Sequence, residues 1–244
     1  MFQYRILISY DGAGYYGWQK ACPYPSIERS LQGVLEQILQ EKISLQAASR
    51  TDRGVHAKGQ VVTFNCTRSF DRGKILCSIN RLLSPDIRAL SLDQVLPTFH
   101  PSLDAQAKTY LYQVYVGKIL YPHERFYFWH YPGKISEDMQ TVFPLFLGRR
   151  NFNAFSSEPK AARSPECNLH TIQLETIGER WYIRLKGDRF LYKMVRIIVG
   201  TLMNFSSGKL SKNEIIALFS QGNRADAGIS APAHGLFLEK IHYE

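Results

Sequence analysis

Cysteine is scarce in this chain, with only Cys22, Cys66, Cys77 and Cys167 in 244 residues. They form no C-x-x-C pair and have no closely spaced histidine, which argues against a zinc site and a disulfide framework. Reduced, mostly buried thiols are expected, and no metal. Long apolar runs are missing as well. No stretch approaches the roughly 20 residues that span a bilayer, and MFQYRILISYDG carries no charged leader, long apolar core or small-residue cleavage site. No membrane partner is expected, and the cytoplasm is the simplest address. The chain is also read as lacking a dinucleotide-binding glycine fingerprint, so no nicotinamide or flavin is expected. Acidic residues are outnumbered: 21 Asp and Glu against 30 Lys and Arg leave a formal net charge of +9 and a pI near 9.4. Clustered cations gain by releasing counterions from a phosphate backbone, so nucleic acid leads as partner, although a generic basic surface would show the same balance.

What is present is a regular succession of elements, in a chain long enough for one large domain or two smaller ones. Residues 2–10 alternate like a strand and run into a glycine-broken loop, DGAGYYGWQKACPYP. Ser26 offers an N-cap, after which Ile27, Leu31, Val34, Leu35, Ile38 and Leu39 recur at helical spacing to about residue 40. A short strand near 43–48, the loop SRTDRGVHA, the strand GQVVTFNC, the helix DRGKILCSINRLL and the strand IRALSLDQVL follow. Their order is β-α-β-β-α-β. The second half repeats that order without repeating its sequence: strand AQAKTYLYQVYVG, helix SEDMQTVFPLFLG, and a hairpin of LHTIQLETIG and RWYIRLKG turning at Gly178 and Glu179. The helices LYKMVRIIVGTLMNF and SKNEIIALFS come next, the latter opened by a capping box of Ser211 and Glu214, and GLFLEKIHY closes as a strand. These patterns predict an α+β fold of two split β-α-β halves, 1–102 and 103–244, with joined sheets and a cleft between them.

Three stretches could carry chemistry. In Ser49–Ala57, the charges of Arg50, Asp52 and Arg53 crowd beside a glycine. An adjacent guanidinium favours an ionised carboxylate, which suits a nucleophile or base, while a solvated surface turn is the competing explanation. His56 lies four residues on and could pair with Asp52 for acid–base work, but an extended chain after Gly54 would separate them, and a satisfied or half-exposed histidine is expected. In Lys108–Val116, Tyr110 and Tyr112 share one face of a strand, where rings can stack on an unpaired base or pack as a core ladder. In GDRFLYKMVRIIVGTL, the residues Arg189, Lys193, Arg196 and Gly200 follow helical spacing, forming a basic stripe on a buried helix. Arg196, set among apolar neighbours, calls for a carboxylate partner, with Asp52 the candidate, unless the stripe is simply solvated.

Together these motifs resemble the pseudouridine synthases, specifically the TruA family of tRNA pseudouridine synthases. The resemblance runs from YDGAGYYGWQ through RTDRGVHA, GQVVTF, KTYLY, RRNFNAFSS and FLYKMVRIIVG to APAHGLFLEKIHY, nearly the whole chain. It implies two ferredoxin-like halves with a central antiparallel sheet, a homodimer, and a tRNA partner. The family's catalytic aspartate falls on Asp52, its base-stacking tyrosine on Tyr110, the arginine pairing with the aspartate on Arg196, and the arginine displacing the target nucleotide on Arg50; Phe190 would wall the pocket. Ser49 stands where the family usually has glycine, and Lys193 where it often has histidine. The implied reaction breaks the bond between ribose and uracil N1 and rejoins the sugar to C5 of a uridine in the anticodon arm. It is redox-neutral and calls for no cofactor. The uridine must be flipped from its stack before Asp52 either attacks it covalently or removes a sugar proton. A noncatalytic RNA-binding protein and a metal-independent RNA hydrolase using Asp52 with His56 are the alternatives.

Overall fold

The computed structural model describes residues 1–20, 23–133, 135–157, 164–220 and 222–243, and only the backbone of Glu137. The chain is mixed α+β and divides into two compact units: Met1–Gln106 together with the segment from Phe237 on, and Ala107–Leu236. The segment after Leu236 therefore groups with the first unit although it closes the chain.

In the first unit the strands are β1 (Phe2–Tyr10), β2 (Leu45–Ala47), β3 (His56–Cys66) and β4 (Ile87–Val95), with helices α1 (Ile27–Leu39) and α2 (Arg72–Leu82). β1 pairs antiparallel with β3 on one side and β4 on the other, and β2 adds antiparallel to β3. The resulting order β4-β1-β3-β2 is the split β-α-β arrangement expected from the sequence. Helix α1 starts where Ser26 accepts a hydrogen bond from the Arg29 N–H, and it buries Ile27, Leu31 and Leu35 at helical spacing. Asp71 caps α2 through the Lys74 N–H in the same way. Alternate residues of β1 supply Tyr4, Ile6 and Ile8 to the core, each contributing on the order of 2 kcal/mol by burial. The C-terminal strand, Leu236–His242, joins β3 in parallel, setting Phe237 beside His56 and Leu238 beside Ala57. That long-range ladder explains its place in the first unit.

The second unit contains β5 (Ala107–Tyr115), β6 (Trp129–His130), β7 (Gly148–Asn151), β8 (Glu166–Ile177) and β9 (Arg180–Gly187), followed by α3 (Met194–Ser206) and α4 (Lys212–Ser220). The C-terminal strand is accordingly β10. β5, β9, β8 and β7 pair antiparallel in that order, and β6 lies parallel to β5. The β8–β9 hairpin turns at Gly178 and Glu179 as the sequence indicates, with Gly178 at φ 60°. The helix expected over 136–148 is a 3-10 helix, Glu137–Leu145. Pro144 bars a regular α-helix from its last turn, since it lacks an N–H and disfavours the α conformation in the residue before it. Phe152 and Phe155 of the NFNAF run are fully buried against Phe219 of α4, so that motif is core.

Among the described cysteines, Cys66 and Cys167 are buried and Cys77 is exposed; Cys22 lies outside the described residues. Among the described residues, no helix is long and apolar enough to cross a membrane, and no three His, Cys, Asp or Glu come together as metal ligands.

Candidate active site

Asp52 sits between β2 and β3 in a tight turn. Its carbonyl accepts the Val55 N–H at 3.1 Å, with Gly54 at φ 77°. The turn is held from outside by the loop after β1. Trp18 N–H donates to the Thr51 carbonyl at 3.0 Å, Gly54 N–H to that of Tyr15 at 3.2 Å, and the buried Thr51 and Tyr10 hydroxyls lie 2.8 Å apart. Gly17 permits this approach: its φ is 89°, and a Cβ there would lie 2.5 Å from the Thr51 oxygen. Two sequence motifs distant along the chain thus form one rigid frame around Asp52. Asp52 is half-buried, Arg50 exposed, and Arg53 lies over the Tyr16 ring at 4.1 Å.

The Gly12–Gly17 segment does spell G-x-G-x-x-G directly after a strand, which corrects the reading that such a fingerprint is lacking. The fingerprint works only when a helix opens at its third glycine and points its N–H groups at phosphate. Here α1 does not begin until Ile27, and Gly12 and Gly17 instead let the backbone approach the Asp52 turn, at Val55 and Thr51. Ser49, where glycine was expected, has no positive φ to accommodate, and its backbone N–H and carbonyl both bond the side-chain amide of buried Gln60.

His56 is 1% exposed, at the start of β3. Its Nδ1 accepts the Gly12 N–H at 3.0 Å and lies 3.1 Å from an Asp11 oxygen, and its ring stacks on Phe237. It is built into the frame, as the extended chain after Gly54 suggests.

In the second unit, β5 is buried on both faces from Tyr110 to Tyr115, so its three tyrosines have separate fates. Tyr112 is a core residue whose hydroxyl donates to the Pro232 carbonyl at 2.7 Å, and burial pushes its phenol well above the usual range. Tyr115 donates to Glu179 at 2.6 Å. Tyr110 instead meets Phe190 edge-on, with centroids 5.1 Å apart and planes at 80°. Both members of this pair are candidates on sequence grounds, and β9 and the turn after it bring them together. Asp188 fixes that turn by accepting the N–H groups of Asn168 and Arg189 at 2.9 and 2.6 Å.

The basic helical stripe needs correction. Helix α3 begins at Met194, and Lys193 stands before it with φ 60°, so Arg189 and Lys193 are not on the helix. The chain needs residues 188–193 to turn from β9 into α3, and a left-handed residue breaks the helical spacing. Arg196 is on the first turn of α3. Its Nε donates to the Ala231 carbonyl at 2.6 Å, and the Ala231 N–H donates to the Arg196 carbonyl at 3.1 Å. Sequence reasoning missed Ala231, because nothing local predicts which loop meets a helix; only its place in the APAHG run could have flagged it. An open cavity of about 710 Å³ between α2 and β4, bounded by residues such as Arg72, Leu76 and Leu90, includes none of the candidate residues.

Lys108, two residues before Tyr110, is half-buried, and this desolvation with the nearby charge of Arg189 lowers its ammonium from 10.5 to about 8. Below pH 8 the proton is held in folded and unfolded chains alike, and the desolvated charge opposes folding in full. Between about 8 and 10.5 the folded chain sheds it first, so stability rises with pH across that window. The Tyr243 phenol, raised from 10.0 chiefly by burial, reverses the trend above pH 10. Thermal midpoints should therefore rise from pH 7.5 to 9.5, and Lys108→Met should flatten the rise; an equal slope in the variant would locate the titration elsewhere.

A family model described as tRNA pseudouridine synthase matches residues 143–244. The chain is 44% identical to tRNA pseudouridine synthase A 2 of Protochlamydia amoebophila, covering 98% of this chain and 93% of the relative. It is 38% identical to that organism's tRNA pseudouridine synthase A 1, covering 100% and 97%. With tRNA pseudouridine synthase A of Acetivibrio thermocellus it shares 35% identity over 98% of each chain.

Proposed function

From the premise that this chain belongs to the tRNA pseudouridine synthase A family, whose reaction isomerises uridine to pseudouridine in tRNA, we propose that Asp52 is its catalytic carboxylate. The target is a uridine of the anticodon stem-loop, at about positions 38 to 40 of the tRNA. The protein works as a homodimer in the cytoplasm. The observation that carries this reading is the locked turn at Asp52, built from the RTDRG and YDGAGYYGWQ motifs of a chain nearly half identical to its relative over almost its full length.

Each residue takes a role that its chemistry allows. Asp52 acts as an ionised carboxylate, starting glycosidic cleavage by covalent attack or by removing a sugar proton. Arg196 supplies the guanidinium that keeps that carboxylate charged, its own orientation set by the Ala231 carbonyl. Tyr110 stacks on the detached uracil so that it turns without escaping, and Phe190, edge-on to Tyr110, forms an apolar wall. Exposed Arg50 fills the space left by the flipped nucleotide, compensating part of the unstacking cost of a few kcal/mol. The buried, hydrogen-bonded ring of His56 does not suit the acid–base role that a hydrolase would require.

The test is incubation of the purified protein with unmodified tRNA carrying tritium at uridine C5, without added cofactor. Tritium release with pseudouridine recovered from the anticodon arm is expected. Tight binding with neither signal would overturn the reading in favour of a noncatalytic RNA-binding protein, and shortened strands would indicate a hydrolase.

A further inference from the structure

The first unit carries an exposed ladder of one cation and two rings beside the Asp52 turn. The Tyr24 ring stacks on Tyr16 with centroids 4.1 Å apart and 10° between planes, and the Arg53 guanidinium lies 4.1 Å from the Tyr16 centroid. A near-parallel ring that close covers one face of Tyr16, so the guanidinium takes the other. Tyr24 is then the outer end of the ladder. The rings stay 38% and 48% exposed, although a stacked aromatic pair would ordinarily be placed in a core.

The backbone holds this arrangement. The Tyr16 N–H donates to the Pro25 carbonyl at 2.9 Å, which ties the two tyrosine-bearing segments together. On either side of Tyr16, Gly54 N–H bonds the Tyr15 carbonyl at 3.2 Å and Trp18 N–H bonds that of Thr51 at 3.0 Å. The ladder and Asp52 therefore share one frame, with Arg53 next to Asp52 in the chain. Rings oriented in advance lose little entropy when a flat ligand stacks on them.

We propose that the Arg53–Tyr16–Tyr24 ladder is a docking platform for an unpaired nucleobase of the RNA substrate, stacked on the outer face of Tyr24. The inference rests on the proposed function for its class of ligand and adds a contact outside the set Asp52, Tyr110, Arg196, Arg50 and Phe190. Any nucleobase presents a π-face, so such a platform holds RNA without reading its sequence. The guanidinium beneath Tyr16 strengthens the stack and brings positive charge to the adjacent phosphates.

The experiment measures tRNA affinity by filter binding, steady-state tritium release and thermal midpoint for Tyr24→Ala, Tyr24→Phe and Tyr24→Trp. Tyr24→Ala is expected to raise Kd and KM about tenfold, the effect of losing one stacked base, with kcat within about twofold and an unchanged midpoint. Phe and Trp should restore wild-type values, since the ring and not the hydroxyl is used. Unchanged Kd and KM in Tyr24→Ala would overturn the platform, as would a fall in kcat together with the midpoint, which would make the ladder a brace for the loop. A wild-type protein that releases no tritium, yet loses RNA affinity in Tyr24→Ala, would sink the proposed reaction while supporting the platform.

Discussion

Asp52→Asn lowers tritium release from tRNA at least about a thousandfold while leaving tRNA affinity within about twofold. That loss corresponds to about 4 kcal/mol of transition-state stabilisation, within the range for removal of an activated nucleophile or base. Asparagine keeps the shape of aspartate and lacks only the ionised oxygen. The turn around it is closed by the Asp52 carbonyl, and its flanks by Thr51, Gly54 and Tyr15, all unchanged by the substitution. These backbone bonds should hold the turn in place, and an unchanged thermal midpoint would assign a loss of turnover to the carboxylate. Affinity for tRNA is dominated by phosphate contacts and should survive the removal of one negative charge. Single-turnover tritium release and filter binding provide the check; turnover within tenfold of wild type would remove Asp52 from the catalytic role.

Gly200→Ala lowers stability by about 2 kcal/mol, against the direction that helix propensity alone would give. In an exposed helix the change would gain about 1 kcal/mol. In α3, however, a Cβ at Gly200 would lie 1.9 Å from the Ile229 carbonyl oxygen, and one at Gly228 would lie 2.3 Å from the Thr201 nitrogen. Backbone meets backbone there, so no side-chain rotation relieves the contact, and overpacking of this kind outweighs propensity. The same loop donates the Gly228 N–H to Thr201 Oγ1 at 3.0 Å and, three residues beyond Gly228, exchanges the Ala231 bonds with Arg196. Pushing Ile229 outward therefore displaces the group that orients Arg196, and kcat should fall along with the urea midpoint. The midpoint should drop with the slope unchanged. A variant as stable as wild type would mean that the 228–231 loop yields at little cost.

The local elements were legible because their causes are local. Alternation wrote β1 and β4 into the chain, and the spacing of Ile27, Leu31 and Leu35 with a serine cap wrote α1. The Ser211–Glu214 box marked the start of α4 through hydrogen bonds that span three residues. The start of α3 was misread for the same reason: Leu191 and Lys193 suit the apolar and basic periods of a helix, but a turn held by Asp188 and Asn168, twenty residues apart, decides where the helix begins. Likewise the glycines at 12, 14 and 17 carry a letter pattern whose meaning depends on their neighbours in space.

By itself, the sequence determined the kind of chemistry available and the family: one carboxylate among arginines, aromatic strands, a basic balance and a motif order covering nearly the whole chain. Only the tertiary structure decided which of those residues share a frame. It placed the YDGAGYYGWQ loop around Asp52, paired Tyr110 with Phe190 while sending Tyr112 to the core, and gave Arg196 the carbonyl of Ala231. The physical reason is range. Caps, turns and periodicity act over three or four residues and are written in the local sequence. A contact across 35 residues, such as Arg196 with Ala231, depends on the closure of every segment between.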